Sequence, residues 1–325
     1  MKHLPRFKVS RPAAAMVVAL LLVLALAVLV AACGSSSTSS SSSSSSASPS
    51  AGVNVAGVTV TADPALVATV PQSIKDAGVL RVATDVPYPP FEMWVNNVPG
   101  QATGFDYDLG QAFAAKLGLK FEFLDITFDT LIPALSADKA DMIMAAMVDN
   151  KERQAAVNFV DYAKVGSVLL TLKGNPNKLT TLDSLAGKTV AAQNGTIQAQ
   201  LLQALKAKFA ASGKPALTVL TFPKDSDALL AVKAGKAVAD YVQLPNAAYM
   251  VKTAPGYEIV VDPAAPSGYV PSILGAAVVK TNTQLTDTAQ KTLQALIDDG
   301  TYTKILAKYG LQGSAVTSAQ INQGK

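Results

Sequence analysis

The sequence predicts an α/β protein whose folded body divides into two lobes, each a mostly parallel sheet flanked by helices. Three observations lead there. From about residue 73, apolar runs of strand length alternate with stretches whose apolar residues recur at helical spacing. Strands that alternate with helices build mostly parallel sheets covered by helices on their faces. The alternating part covers about 250 residues, which is large for one core and suits two lobes.

The stretch before that body reads as an export signal. Lys2, Arg6, Lys8 and Arg11 precede an uncharged apolar run over residues 13–32, and Val30-Ala31-Ala32-Cys33 closes it with small residues before a cysteine. A basic segment, an apolar segment and a small-residue cleavage site make a secretory signal. The cysteine at the cut resembles a bacterial lipobox, which implies cleavage before Cys33 and lipidation of its thiol. The competing reading is an uncleaved membrane helix, since the run is long enough to span a bilayer. Under either reading the positive charge before the run keeps that side in the cytoplasm, so the remainder lies outside, anchored at the outer face of the membrane. Residues 35–50 are almost pure serine, a composition that forms a flexible tether rather than a core. Residues 51–70 read as more linker with short extended pieces.

Removing the leader changes the chemistry. The full chain carries 27 Lys+Arg against 23 Asp+Glu, and four of the basic residues sit in the leader, so the remainder carries 23 of each. The pI of about 8.9 therefore gives no sign of a nucleic-acid-binding surface. His3, the single histidine, is in the leader, and Cys33 is the single cysteine. A Ser-His-Asp triad, a Cys-His nucleophile, a disulfide framework and a Cys/His metal site are all excluded, and no cofactor is expected.

The elements of the body follow in order. Residues 79–84 form a strand by their β-branched content. Phe105, Leu109, Phe113 and Leu117 make a helical stripe closed by Gly118. Residues 120–125 alternate as a strand, 129–137 form a short helix with Pro133 in its first turn, and 141–147 make an apolar strand. Asn150 caps a helix through Ala156. Strands at 188–192, 217–222, 238–242, 258–261 and 273–279 follow. Helices are expected at 196–209 and 226–234, and two more, 286–298 and 301–309, end the chain.

Ligands of such sheets bind beyond the carboxyl ends of the strands, so strand-to-helix loops carry the candidate site. Asp85-Val86-Pro87-Tyr88-Pro89-Pro90-Phe91 is stiffened by its prolines and presents Tyr88 and Phe91, either to a flat or apolar ligand part or to the core. Residues 147–153 join a strand end, a helix N-terminus and Arg153, a combination suited to one anionic group. Gln193-Asn194-Gly195-Thr196 opens another helix. Its glycine permits close backbone approach, and the Thr196 hydroxyl and amide are donors to the same anion, or Thr196 is a plain helix cap. Gly187-Lys188-Thr189 is not a phosphate loop: Leu182 stands where its first glycine belongs, and the tripeptide precedes a strand instead of following one.

Taken in order, these segments resemble the polar amino-acid-binding solute receptors of ABC importers, family 3. The likeness runs through Gly78-Val79-Leu80-Arg81-Val82-Ala83-Thr84-Asp85, Tyr88-Pro89-Pro90-Phe91, Gly104-Phe105-Asp106-Tyr107-Asp108-Leu109, Phe128-Asp129-Thr130-Leu131, Lys151-Glu152-Arg153, Phe159-Val160-Asp161-Tyr162, Leu182-Asp183-Ser184-Leu185-Ala186-Gly187 and Gly300-Thr301-Tyr302. The resemblance implies a two-lobed periplasmic-binding-protein fold with a two-strand hinge. Residues 1–32 would be the signal peptide, 33–72 the lipidated cysteine and tether, 73–166 and 269–312 the first lobe, 167–268 the second, and 313–325 a C-terminal tail. It implies a monomer that captures an amino acid or related small carboxylate and passes it to ABC permease subunits. It implies that Arg153 pairs with the ligand α-carboxylate with help from the backbone at Thr196. Tyr88 and Phe128 would pack on the ligand side chain, and Asp85 would meet its polar end.

Two departures stand out. Ala145, Ala146 and Val148 occupy positions where many members place Ser, Thr or Gly, so Ala146 and Val148 have only backbone groups to offer. The family's ammonium-binding aspartate, placed just before a Leu-Pro step, matches Gln243, while Asp240 lies close enough to take the role instead. Two other functions fit the same fold by analogy. One is a cyclohexadienyl-dehydratase-type enzyme using a carboxylate such as Asp85 as base, and the other is a transporter-independent sensor or adhesin.

Overall fold

The computed structural model describes residues 52–325. Cys33, the leader and the serine tract lie outside the described residues. The chain opens with a hairpin, β1 (Val53–Val55) and β2 (Val58–Val60), and two short helices, α1 (Pro64–Thr69) and α2 (Gln72–Ala77). This corrects the tether boundary at residue 72. Asp63 caps α1 by accepting from the N–H groups of Ala65 and Leu66, and Pro64 stands at the first helical position. Aspartate then proline is a helix-start signal, and it outweighs the polar character of the stretch.

The first lobe contains β3 (Val79–Thr84), the short pair β4 (Met93–Trp94) and β5 (Ala102–Thr103), α3 (Phe105–Lys116), β6 (Lys120–Asp125), α4 (Leu131–Ser136) and β7 (Met142–Ile143). β8 (Val157–Leu172) then crosses to the second lobe, made of β9 (Thr189–Gln193), α5 (Ile197–Ala211), β10 (Thr218–Phe222), α6 (Asp225–Lys233), β11 (Ala239–Gln243), α7 (Leu244–Thr253) and β12 (Tyr257–Ile259). β13 (Tyr269–Val279) returns, and α8 (Thr283–Asp298), α9 (Thr301–Tyr309) and β14 (Ala315–Ile321) complete the chain.

One sheet of ten strands runs through the whole body in the order β10-β9-β11-β8-β13-β7-β3-β6, with β12 and β14 also paired to β8. Its outer parts are parallel: β3 pairs with β6 and β7, and β9 with β10 and β11. Its centre is antiparallel, because β8 and β13 run against each other and β11 runs against β8. The expected lobe boundaries at 166/167 and 268/269 fall within β8 and just before β13. There the backbones nearly touch: a Cβ on Gly166 would lie 2.1 Å from Ser267 O, and Gly268 holds a left-handed φ of 88°. Only glycine tolerates both conditions.

Two corrections bear on the site. The helix expected from Asn150 is a single 3-10 turn, Arg153–Ala155, although Asn150 Oδ1 does accept from Arg153 N–H (2.9 Å). The expected C-terminal tail is built into the sheet as β14. Beyond it, Gly324 N–H donates to Asp149 Oδ2 (2.6 Å) and Gln323 N–H to Asp161 Oδ2 (3.0 Å), so the chain end braces the loop that carries Arg153. Among the described residues no helix is long and apolar enough to cross a membrane.

Candidate functional site

The carboxyl ends of β3 and β9, the loop after β7 and the end of β11 converge between the lobes. They enclose a small cavity lined by Asp85, Tyr88, Phe128, Val148, Arg153 and Gln243, among others. The cavity measures about 10 Å³, room for about one water. The lobes are closed on one another. Asn194 Nδ2 in the second lobe donates to Asp129 Oδ2 in the first (2.6 Å), and Gly195 lies where a Cβ would come within 2.7 Å of the Asp129 Cβ.

Arg153 is 9 % exposed, and its guanidinium spans the lobes. Nη1 donates to Val148 O (2.6 Å) in its own loop, and Nη2 donates to Gly195 O (2.9 Å) across the cleft. The Phe128 ring lies 5.5 Å below the guanidinium carbon. Among the described residues no carboxylate lies within 4.0 Å of it. Burial draws its pKa down to about 10, which leaves it charged at neutral pH with no ionic partner.

The helix that serves this cation's site is α5. Thr196 caps it: its hydroxyl donates to Gln193 O (2.7 Å) and accepts from Ala199 N–H (3.2 Å). The hydroxyl is therefore committed to the cap, while Thr196, Ile197 and Gln198 line the cavity at the helix start. A fifteen-residue helix presents unpaired N–H groups and a partial positive charge there. Arginine and helix terminus come from opposite lobes and face one cavity, an arrangement suited to a carboxylate.

The backbone expected to assist is divided. Ala146 N–H is taken by Asp106 Oδ2 (2.7 Å), and Ala146 O accepts from Gln243 Nε2 (2.9 Å), so neither group is free. Val148 sits in a bridge whose bonds are Gly275 N–H to Met147 O and Asp149 N–H to Ile273 O. Its own N–H and C=O therefore point away from β13, on the side where Arg153 reaches Val148 O.

At the far end, Tyr88 lines the cavity, and its hydroxyl accepts from Gln243 N–H (3.4 Å). Phe91 does not line it, which corrects that expectation. It is fully buried, packs edge-on against Phe105 at 6.2 Å and backs Tyr88 at 6.1 Å. Asp85 lines the cavity with both oxygens engaged, Oδ1 by Lys224 Nζ and Oδ2 by Gln193 Nε2. Burial pushes its carboxyl upward, against the pull of Lys224.

Of the two ammonium candidates, Gln243 faces the cavity, and its Oε1 is buried without a partner. Asp240 does not line it. It is fully buried beside Asp225, and burial together with that second carboxyl raises it well above the usual range. Alternation along β11 separates the two positions, since residues three apart in a strand point to opposite faces.

Three further residues belong to this site. Glu92 lines the cavity directly after Phe91, with its carboxyl raised well above the usual range by burial and by Asp106. Gln193 belongs to the third loop singled out above but was not assigned a contact. Lys224 follows β10 in a strand-to-helix loop, which the carboxyl-end rule marks as a place to look. Among the described residues no group of His, Cys, Asp or Glu side chains is placed to hold a metal ion.

An arginine-binding protein of Corynebacterium glutamicum is 29% identical over 266 residues, covering 80% of this chain and 83% of that protein. Among solved structures, a mutant of ArgBP from T. maritima superposes with a TM-score of 0.65 at 32% identity, covering 74% of this chain and 98% of that one. An ancestral amino acid-binding protein, a precursor of cyclohexadienyl dehydratase, gives a TM-score of 0.63 at 32% identity, covering 73% and 98%. The profile of the bacterial extracellular solute-binding proteins, family 3, matches residues 80–312, from β3 through the last helix, and the chain belongs to that family.

Proposed function

We propose that the chain is the extracytoplasmic, lipid-anchored receptor of an ABC importer. It captures an amino acid or closely related small carboxylate between its closing lobes and delivers it to a permease. The observation that carries this reading is Arg153: a buried cation without a carboxylate partner, bonded to carbonyl oxygens of both lobes at the start of α5. A ligand carboxylate there gains a bidentate, charge-assisted contact and ties the lobes together. Relatives named as arginine-binding and amino acid-binding proteins support the ligand class.

A thermal-shift screen of the purified body against free amino acids and their deaminated analogues tests the reading, because a ligand of the native state raises the melting point by mass action. No shift with any of them would refute it. The anchor is tested separately: Cys33→Ser should move the protein from the membrane fraction to the medium, since one stem without acyl chains cannot hold it. Retention of the variant in the membrane would argue for the uncleaved helix.

A further inference from the structure

The acidic end of the cavity carries a cation of its own. Lys224 reaches from the second lobe, at the start of α6, into the first, where its ammonium donates to Asp85 Oδ1, to Val86 O (2.9 Å) and to Asp125 Oδ1 (3.0 Å). Asp125 is 37% exposed at its side chain and solvated, whereas Asp85 is 4% exposed, so water screens the outer pair and the inner pair keeps its strength. Gln193 Nε2 holds the other Asp85 oxygen. Asp85 therefore enters the closed state with its charge compensated from within the chain.

Beside this pair the cavity is lined by an amide, Gln193, and a buried acid, Glu92. Glu92 is fully buried, and burial together with Asp106, whose Oδ2 accepts from Ala146 N–H and Tyr162 Oη–H, raises its carboxyl well above the usual range. Gln193 is an amide whose Nε2 already donates to Asp85, and Glu92 Oε2 is buried without a partner. A cationic ligand side chain entering here would meet Lys224 as a rival for Asp85 and as a like charge inside a closed, poorly solvated space. An uncharged amide or hydroxyl side chain would meet the unpartnered Glu92 Oε2 instead.

Resting on the reading above, we infer that Lys224 sets the specificity of the receptor. By pairing with Asp85 across the closed cleft it directs the site to amino acids with uncharged polar side chains and away from arginine and lysine. Lys224 is a positioning residue that acts through Asp85, and it acts only when the lobes are closed, since the pair joins one lobe to the other.

The test is isothermal titration of the full body with L-glutamine and L-arginine as probes, on the native chain and on Lys224→Met, Lys224→Arg and Lys224→Met/Asp85→Asn. The native chain should bind glutamine at least about tenfold more tightly than arginine, and Lys224→Met should shift that ratio toward arginine by about tenfold or more, the scale of one charge-assisted contact. Lys224→Arg should keep the native ratio, and the double variant should lose the gain, results that a merely structural role for Lys224 would not produce. Arginine bound as tightly as glutamine by the native chain, or a ratio unmoved in Lys224→Met, overturns the inference and leaves amino-acid capture standing. Failure of every form to bind either probe or any other amino acid overturns the capture reading, and this inference with it.

Discussion

A guanidinium nine-tenths buried must find its hydrogen bonds inside the protein, and Arg153 finds carbonyl oxygens only. That is a costly environment for a charge unless an anion arrives. Its place at the cavity was legible because an arginine shortly after a strand end lies beyond the carboxyl end of the sheet, as were the places of Tyr88 and Thr196 in loops of the same kind. Phe91 was misplaced because a stiff loop with two aromatics does not reveal which one faces inward. Lys224 was missed because its partner Asp85 lies 139 positions away, and only lobe closure brings them together. The choice between Asp240 and Gln243 turned on strand alternation near a ladder end, where a shift of one residue exchanges the faces. Gln243 offers a neutral acceptor where an ionic one is expected. Gln243→Asp should therefore raise the preference for α-amino acids over the corresponding deaminated acids, measured by competitive titration. An unchanged preference would mean that the ligand amine lies elsewhere.

At the scale of elements, the regular βα units were legible because period and caps agreed. The strand at β3, the helices α3 and α9 and the strand β6 follow directly from apolar spacing. β8 was not, because Asp161, Lys164 and Gly166 interrupt its apolar run, and their environment comes from four partner strands that the local sequence does not show. β14 escaped notice because Thr, Ser, Ala and Gln dominate it. The helix expected after Asn150 is cut to one turn, because β8 begins two residues after it ends. The crossing of Gly166 and Gly268 is the tightest point between the two hinge segments. Gly166→Ala forces the backbone to shift by more than a side chain can absorb, which should destabilise the fold by about 1–3 kcal/mol, the usual cost of overpacking. Urea unfolding measures that cost. Small-angle scattering with ligand should also show a larger radius of gyration than the native complex, and a native-like value would mean that the crossing does not govern closure.

The molecule as a whole stores buried carboxyl groups in both lobes. Burial raises Asp106, Asp161 and Asp225 from 3.8 to about 7. Each binds its proton more tightly folded than unfolded. The stabilisation they give is therefore complete below the unfolded value near pH 4 and declines as pH rises toward 7. Asp299, held below its ordinary value by Lys116, acts in the opposite sense and only below about pH 4. Calorimetric melting should accordingly give a higher midpoint at pH 5 than at pH 8, by about 2–4 °C for each kcal/mol lost. A midpoint that rises from pH 5 to pH 8 would show that these acids are ionised at little cost. The two-lobed architecture was legible from the size and βα rhythm of the body. The single continuous sheet was not, because parallel units at either end do not announce the antiparallel centre that joins them.

Capture of a carboxylate by Arg153 between closed lobes is read out by calorimetric titration of the native chain and Arg153→Ala with the amino acid giving the largest thermal shift. We expect saturable binding to the native chain and a loss of about 2–5 kcal/mol in the variant, roughly 30-fold or more in affinity. Binding that stays within a few-fold in Arg153→Ala would contradict it.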